Sequence, residues 1–298
     1  MGNNSKKSPL IYPGSKGGVI DDLLPLITGK TFKEYREPFL GSASVYLAVR
    51  HRCGGGDSGR RYWINDLNFE LYNFWKMIQF DINSVILKIL EFKDDDRFRS
   101  GKELFYHLKR NLYSYKNVEL AAAYFILNRS AFSGGSLVSG FSQDHFDYLN
   151  NERINGLKDI KSLLSRRDVM ITNLDYQKLV EAPPMSGNSN DDVMLFLDPP
   201  YMSATDSGLY GRSGGKWKNL HKTFDHYRFS RVMKNCKFGW LVTYDDSPFI
   251  RNLFEFANQK RWTFTHKMRD DKVGKELLIS NFKLTDTVHT AQKTLFDD

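Results

Sequence analysis

The chain has 298 residues, 41% hydrophobic and 14% aromatic, which is enough for one large domain, or a domain with an insertion, around a substantial core. Only Cys53 and Cys236 are present, excluding a disulfide framework and a thiolate-rich metal site, and no apolar run approaches the ~18 residues of a membrane span. The 43 Lys and Arg against 35 Asp and Glu leave a net charge of +8, which suits an anionic partner such as nucleic acid and equally a soluble basic protein.

Met1 to Pro9 is polar and basic, without the apolar core of a secretory signal, so a reduced, cytosolic setting is expected. Pro9 to Tyr12 reads as a short extended piece. Pro13-Gly14-Ser15-Lys16-Gly17-Gly18 then enters a helix that has Val19, Ile20, Leu23, Leu24, Leu26 and Ile27 on its apolar side. Such a turn can bind an anion through backbone N–H groups, although its spacing is not that of a Walker loop, and it serves equally as a plain helix entry. Tyr35–Leu40 reads as a strand running into Gly41-Ser42-Ala43-Ser44, with a helix from Val45 to Cys53. Small residues between strand and helix let a ligand approach the backbone, but the dinucleotide glycine fingerprint is not met, which disfavours a nicotinamide oxidoreductase. Cys53 to Arg61 is a Gly-rich loop, and Tyr62–Asp66 the next strand. An acid about 20 to 25 residues past such a turn suits a ribose diol, and Asp66 also suits the cap of a helix starting near Leu67.

From Leu71 to Leu164 the pattern is helical, with candidates at Leu71–Gln79, Ile82–Phe92, Lys102–Leu112, Glu119–Leu127 and Arg153–Leu164. A helical block interrupting an α/β alternation reads as an inserted domain. Its basic residues, among them Lys109, Arg110 and Arg129, are interleaved with aromatics that can hold phosphates and bases, although solvated helix faces account for many such residues. Arg167–Thr172 returns to a strand and precedes Asp175-Tyr176. The buried-type strand Val193–Leu197 ends in Asp198-Pro199-Pro200-Tyr201. Prolines cannot donate to a sheet ladder, so this strand stops at an acid, a rigid diproline and a ring. Ligands of open α/β sheets sit beyond such carboxyl ends. A long stretch, Met202 to Thr223, carries Arg212 and Lys216 and suits a clamp on nucleic acid. Asp225–Lys234 and Pro248–Phe256 read as helices and Phe238–Thr243 as a strand, while Thr263–Lys267 and Glu276–Phe282 suit an antiparallel pair. The alternation predicts a mostly parallel sheet with helices on both faces.

With these residues placed, the chain resembles the DNA adenine-N6 methyltransferases of the D12-class DNA adenine methylase family, in the α-group motif order. Tyr12-Pro13-Gly14-Ser15-Lys16 is similar to its amino-terminal cofactor motif, with Tyr12 where a Trp is usual. Glu37-Pro38-Phe39-Leu40-Gly41-Ser42-Ala43-Ser44 is similar to its Glu-Pro-Phe-x-Gly-x-Gly-Ser motif, with Ala43 in place of a glycine. Asp66 matches the ribose acid, Asp198 to Tyr201 the Asp-Pro-Pro-Tyr motif, Asn128-Arg129 the Asn-Arg pair before a target-recognition loop, and Glu276-Leu277-Leu278-Ile279 a late Glu-Leu-Leu strand.

The resemblance implies a Rossmann-like α/β methyltransferase sheet, with residues 1–78 and 166–284 forming the catalytic domain, 79–165 a helical target-recognition insertion and 285–298 a flexible tail. It implies S-adenosyl-L-methionine as cofactor, held by Tyr12, Lys16, Pro38, Phe39, Gly41, Ser42, Ala43, Ser44, Asp66, Asp175 and Tyr176. Catalysis falls to Asp198, Pro199, Pro200 and Tyr201 without a metal, on an adenine flipped out of double-stranded DNA. Lys109, Arg110, Arg129, Arg212 and Lys216 are the candidate DNA contacts, and the setting is the cytoplasm of a bacterium or phage-infected cell. The tail Gln292-Lys293-Thr294-Leu295-Phe296 resembles a peptide that docks on the bacterial sliding clamp through Gln292, Leu295 and Phe296, and serves equally as an incidental terminus. The competing functions are amino-methyl transfer to another nucleobase or to RNA, and a non-catalytic DNA-binding relative.

Overall fold

The computed structural model describes residues 8–12, 14–54, 59–132, 139–185, 187–202, 224–265 and 273–284. Among them, one sheet holds seven strands: β1 (Glu34–Glu37), β2 (Arg61–Asn65), β3 (Val169–Thr172), β4 (Val193–Leu197), β5 (Gly239–Asp245), β6 (Asn258–Thr265) and β7 (Val273–Ser280). Their spatial order is β3-β2-β1-β4-β5-β7-β6. Neighbours from β3 to β5 pair in parallel, while β7 lies antiparallel between β5 and β6. The order reverses between β1 and β4, which puts a crevice at their carboxyl ends. This is the mostly parallel sheet that the alternation predicts and the Rossmann-like α/β fold that the resemblance implies.

β4 explains why the sheet is covered on both sides. All five of its residues are buried. Their side chains alternate, with Met194 and Phe196 joining one apolar cluster and Val193, Leu195 and Leu197 the other. The first cluster receives α1 (Ile20–Thr28), α2 (Ser44–Cys53), α3 (Phe69–Lys93), α4 (Gly101–Asn111), α5 (Asn117–Ser130), α6 (Gln143–Asp147), α7 (Asn151–Asn155) and α8 (Lys158–Lys161). The second receives α9 (Tyr176–Glu181), α10 (His226–Lys234) and α11 (Pro248–Leu253). Among the described residues no helix is long and apolar enough to cross a membrane.

The helical block differs in detail from its sequence pattern. The two helices expected at Leu71–Gln79 and Ile82–Phe92 are one 25-residue helix, α3, bent where Asp81 takes φ −149° and ψ 71°. Asp81 then caps the second half, accepting from Ser84 N at 3.2 Å and from Ser84 Oγ at 2.6 Å. Because α3 runs through residue 79, no chain break marks the start of the expected insertion. Phe74 of α3 and Phe125 of α5 stack with centroids 5.7 Å apart, within the cluster that also holds Phe196 of β4. The single helix expected at Arg153–Leu164 is instead α7, α8 and a 3-10 turn at Ser162–Leu164.

Arg36 on β1 ties the sheet to α9. Its guanidinium is fully buried, pairs with Glu34 at 2.6 Å and donates to the carbonyls of Leu179, Ala182 and Pro183. The end of a helix leaves carbonyls without partners, and here one cation serves them. Replacing Arg36 by Met is expected to leave Glu34 as an uncompensated buried charge and to lower stability by about 3–5 kcal/mol. Urea unfolding checks this, and a loss below ~1 kcal/mol contradicts it.

Candidate active site

The site is built at the carboxyl end of β4. Val242 of β5 pairs with Leu197, so Thr243 lies beside Asp198, and Glu276 of β7 pairs with Asp245. Thr243 Oγ1 donates to Asp198 Oδ1 at 2.7 Å, and the Lys16 ammonium meets the same oxygen at 3.0 Å. Among the described residues, neither bond falls on Asp198 Oδ2. Lys16 is 4% exposed, also donates to the Gly14 carbonyl at 3.1 Å, and faces Glu276 Oε1 at 3.5 Å. Burial alone would pull its ammonium down, yet Asp198 and Glu276 together hold it above the ordinary lysine range.

Tyr201 closes this cluster. Its hydroxyl donates to Glu276 Oε2 at 2.8 Å, its ring packs on Tyr244 at 5.8 Å, and Lys16 Nζ stands 4.9 Å from its centroid. Burial, with Asp198 and Glu276 nearby, drives the phenol well above its usual range and keeps it neutral. Pro199 is buried and Pro200 half-buried, fixing the backbone between acid and ring.

The turn after β1 forms the adjoining wall. Gly41 has φ 50°, and a Cβ there would stand 3.5 Å from the Tyr12 ring. Ala43 has φ 59° and is wholly buried at the N-cap of α2. The hydroxyls of Ser15, Ser42 and Ser44 lie within 2.7–2.9 Å of one another, locking the amino-terminal segment to this turn. Asp66 Oδ2 accepts from Gly41 N at 2.9 Å, and its Oδ1 accepts from Asn68 N at 2.9 Å. Burial pushes the Asp66 carboxyl up to about 6, against the two N–H bonds that favour its ionised form. The Pro38 carbonyl accepts from Asn65, Phe39 stacks on Tyr176 at 5.4 Å, and Asp175 caps α9 while pairing with Arg228 at 2.7 Å.

The structure thus gathers Lys16, Asp198, Pro199, Pro200 and Tyr201 around one carboxylate, with Tyr12, Gly41, Ser42, Ala43, Ser44 and Asp66 beside them. Lys16, expected in the cofactor set, directs its ammonium at Asp198 and Glu276. Of the candidate DNA contacts, Arg110 is exposed on α4, whereas Lys109 donates to the Ser139 carbonyl at 2.9 Å and half-buried Arg129 to that of Pro9 at 3.5 Å. Arg212, Lys216 and the tail residues Gln292, Leu295 and Phe296 lie outside the described residues. A groove of about 730 Å³ between α9 and α10 reaches Asn190 and Phe238, at the amino ends of β4 and β5, so it opens away from Asp198. Thr243 as a partner of Asp198, and Glu276 as a partner of Lys16 and Tyr201, escaped the sequence reading. Strand register brings them in, and the Glu-Leu-Leu pattern was the one available signal.

A family model described as D12 class N6 adenine-specific DNA methyltransferase matches residues 12–268. The chain belongs to this family. Family membership implies a methyl donor. Two relatives agree in name: a DNA N-6-adenine-methyltransferase of Escherichia phage P1, 24% identical over 269 residues, and the modification methylase StsI of Streptococcus sanguinis, 23% identical over 227. These alignments cover 84% and 72% of this chain and 31% of each relative, so the chain spans about a third of their length. The solved rRNA methyltransferase aviRa from Streptomyces viridochromogenes is 13% identical, with a TM-score of 0.37 over 91% of this chain and 87% of that one.

Ala43 occupies the position of the family's second turn glycine, in the left-handed region that costs a non-glycine residue about 1–2 kcal/mol. Loss of its buried methyl group offsets part of that gain. Ala43→Gly is therefore expected to stabilise the chain by ~0.5–1 kcal/mol. Urea unfolding measures it, and a destabilised variant would show that packing outweighs backbone strain here.

Proposed function

We propose that this D12-class chain transfers the methyl group of S-adenosylmethionine to N6 of an adenine extruded from duplex DNA. The observation that carries the reading is the Asp198 carboxylate, pinned through Oδ1 by Lys16 and Thr243 with Oδ2 left for a new donor. The exocyclic nitrogen of adenine is a poor nucleophile because its lone pair is delocalised into the ring. Asp198 Oδ2 and the Pro199 carbonyl accept its two N–H bonds and favour a tetrahedral nitrogen whose lone pair is free to attack. The site therefore works by positioning and by stabilising developing positive charge. The proton that N6 loses leaves along the Asp198 contact to solvent.

The residues at the turn fit the cofactor. Gly41, beside the Tyr12 ring, adds no side chain to the turn, Asp66 offers a carboxylate with further lone pairs to a ribose diol, and Phe39 and Tyr176 provide an apolar wall. The bound cofactor supplies an electrophilic sulfonium methyl group. Extruding the base costs about a few kcal/mol, and contact with the Tyr201 ring returns ~1–3 kcal/mol. Exposed Arg110 of α4, with the sequence around Arg212 and Lys216, provides cations for phosphates.

Asp198→Ala is expected to abolish transfer of labelled methyl to unmethylated plasmid DNA while cofactor binding, measured by calorimetry, persists. Near wild-type turnover would reject the assignment, and preferential labelling of a matched RNA would replace DNA as the substrate. Thr243→Val removes one of the two bonds fixing Asp198 and is expected to slow transfer about tenfold, the value of one hydrogen bond of ~1–1.5 kcal/mol.

Asp66 sets a pH dependence. Its folded pKa is raised, so the protonated form is favoured in the free chain, and the contribution of this group to stability is lost as pH rises through about 6. Cofactor binding runs the other way, because the ionised carboxylate accepts ribose hydroxyls best. Affinity is expected to fall as pH drops below about 6 in the wild type and to stay flat in Asp66→Asn. Equal pH slopes in the two proteins would remove Asp66 from the cofactor site.

A further inference from the structure

Glu276 is the one carboxylate of the cluster that the proposed methyl transfer leaves without a task. It comes from β7, the antiparallel strand, and reaches the site because its pairing with Asp245 puts it at the carboxyl end of β5. Its side chain is 13% exposed and spends both oxygens inside the cluster, Oε2 on the Tyr201 hydroxyl at 2.8 Å and Oε1 on Lys16 at 3.5 Å. Both partners touch the reacting centre, since Lys16 binds Asp198 and Tyr201 follows the diproline.

We infer that Glu276 is a positioning residue of the methyl-transfer site, which orients the Tyr201 ring and balances the charge of Lys16 so that the site presents net negative charge to the target nitrogen. The inference rests on the methyl-transfer function proposed above. Two consequences follow from the geometry. The tyrosine ring is held at its far end by the hydroxyl bond and over its ring by Tyr244 and Lys16, so loss of the carboxylate removes its one hydrogen bond to Glu276. The charge effect is separate. Lys16 alone would neutralise Asp198, and the amino nitrogen turns positive as its new C–N bond forms and the carbon–sulfur bond breaks. With Glu276 present, two carboxylates face one ammonium, and the surplus negative charge favours that cationic nitrogen until its proton leaves to solvent. Burial, with Asp198 nearby, holds the Glu276 carboxyl above its ordinary range, and the Lys16 contact at 3.5 Å offsets part of that rise.

The test uses the full chain, labelled S-adenosylmethionine and plasmid DNA lacking N6-methyladenine. Glu276→Gln keeps an oxygen for the Tyr201 hydroxyl but removes the charge. It is expected to lower kcat roughly tenfold, with KM for DNA and cofactor within about twofold, the pattern of an interaction gained in the transition state. Glu276→Ala removes both functions and is expected to lose on the order of a hundredfold. Combined with Tyr201→Phe, it should lose less than the product of the single effects, because the two variants break the same bond. Thermal unfolding of each variant separates misfolding from misplacement, since a structural role would lower the melting temperature and leave kcat of the folded fraction intact. A Gln variant with wild-type kcat, or multiplicative effects in the double variant, would overturn the positioning role. A wild-type chain that transfers no methyl group to DNA would overturn the proposed function itself, and this role with it.

Discussion

The Lys16 ammonium is the constraint on which the site depends. At 4% exposure it cannot stay charged without partners, and leaving a buried ion uncompensated costs several kcal/mol. Beside the Gly14 carbonyl two residues away, its partners come from two distant parts of the chain, Asp198 after β4 and Glu276 on β7. The amino-terminal segment, the end of the central strand and the antiparallel arm must therefore meet at one point. Sheet order makes this meeting possible, because β5 carries β7 on its far side while β4 lies between β1 and β5. A folded sheet without the lysine would hold two carboxylates close together with nothing between them.

The polar bonds around the ion share one economy, in which each side chain serves two pieces of chain. Asn65 at the end of β2 donates to the carbonyls of Pro38 and Leu174 while its oxygen accepts from Leu174 N and Thr172 Oγ1. One fully buried amide thus joins the turns after β1 and β3, with its donors and acceptor satisfied. Arg36 performs the same service at the other side of the sheet for α9. The crevice walls are held by such two-sided contacts, which explains how irregular turns keep their shape next to a ligand site.

The sequence made β4 and its diproline legible because a continuous apolar run ending in Asp-Pro-Pro has few other readings. The turn after β1 was legible as small residues between a strand and a helix, and the order of the motifs reached the family that the comparison then established. Lateral relations stayed hidden. Thr243 is an ordinary strand residue until the register of Leu197 with Val242 puts it beside Asp198. The bend at Asp81 was hidden for a different reason: an Asp two residues past a helical stretch reads as an end, and here its side chain restarts the same helix by capping it. Left-handed Ala43 carries no signal of its own conformation, since alanine ordinarily avoids it.

Asn128 shows how the helical block and the chemistry are joined. It is fully buried near the carboxyl end of α5, and its side-chain amide pairs with the backbone of Ile11 on both sides, accepting from Ile11 N at 2.9 Å and donating to Ile11 O at 2.7 Å. Ile11 precedes Tyr12 and the turn that presents Lys16, while Arg129 bonds Pro9 from the next position of the helix. The end of α5 therefore sets the path of the segment that delivers the lysine. A side-chain amide that mimics a strand pair fixes direction as well as distance, because its donor and acceptor are offset along the chain. Any shift of α5 relative to the sheet must then be absorbed by this segment or passed to the Lys16–Asp198 contact, and the serine cluster anchoring Ser15 to Ser42 and Ser44 leaves the segment little room to absorb it.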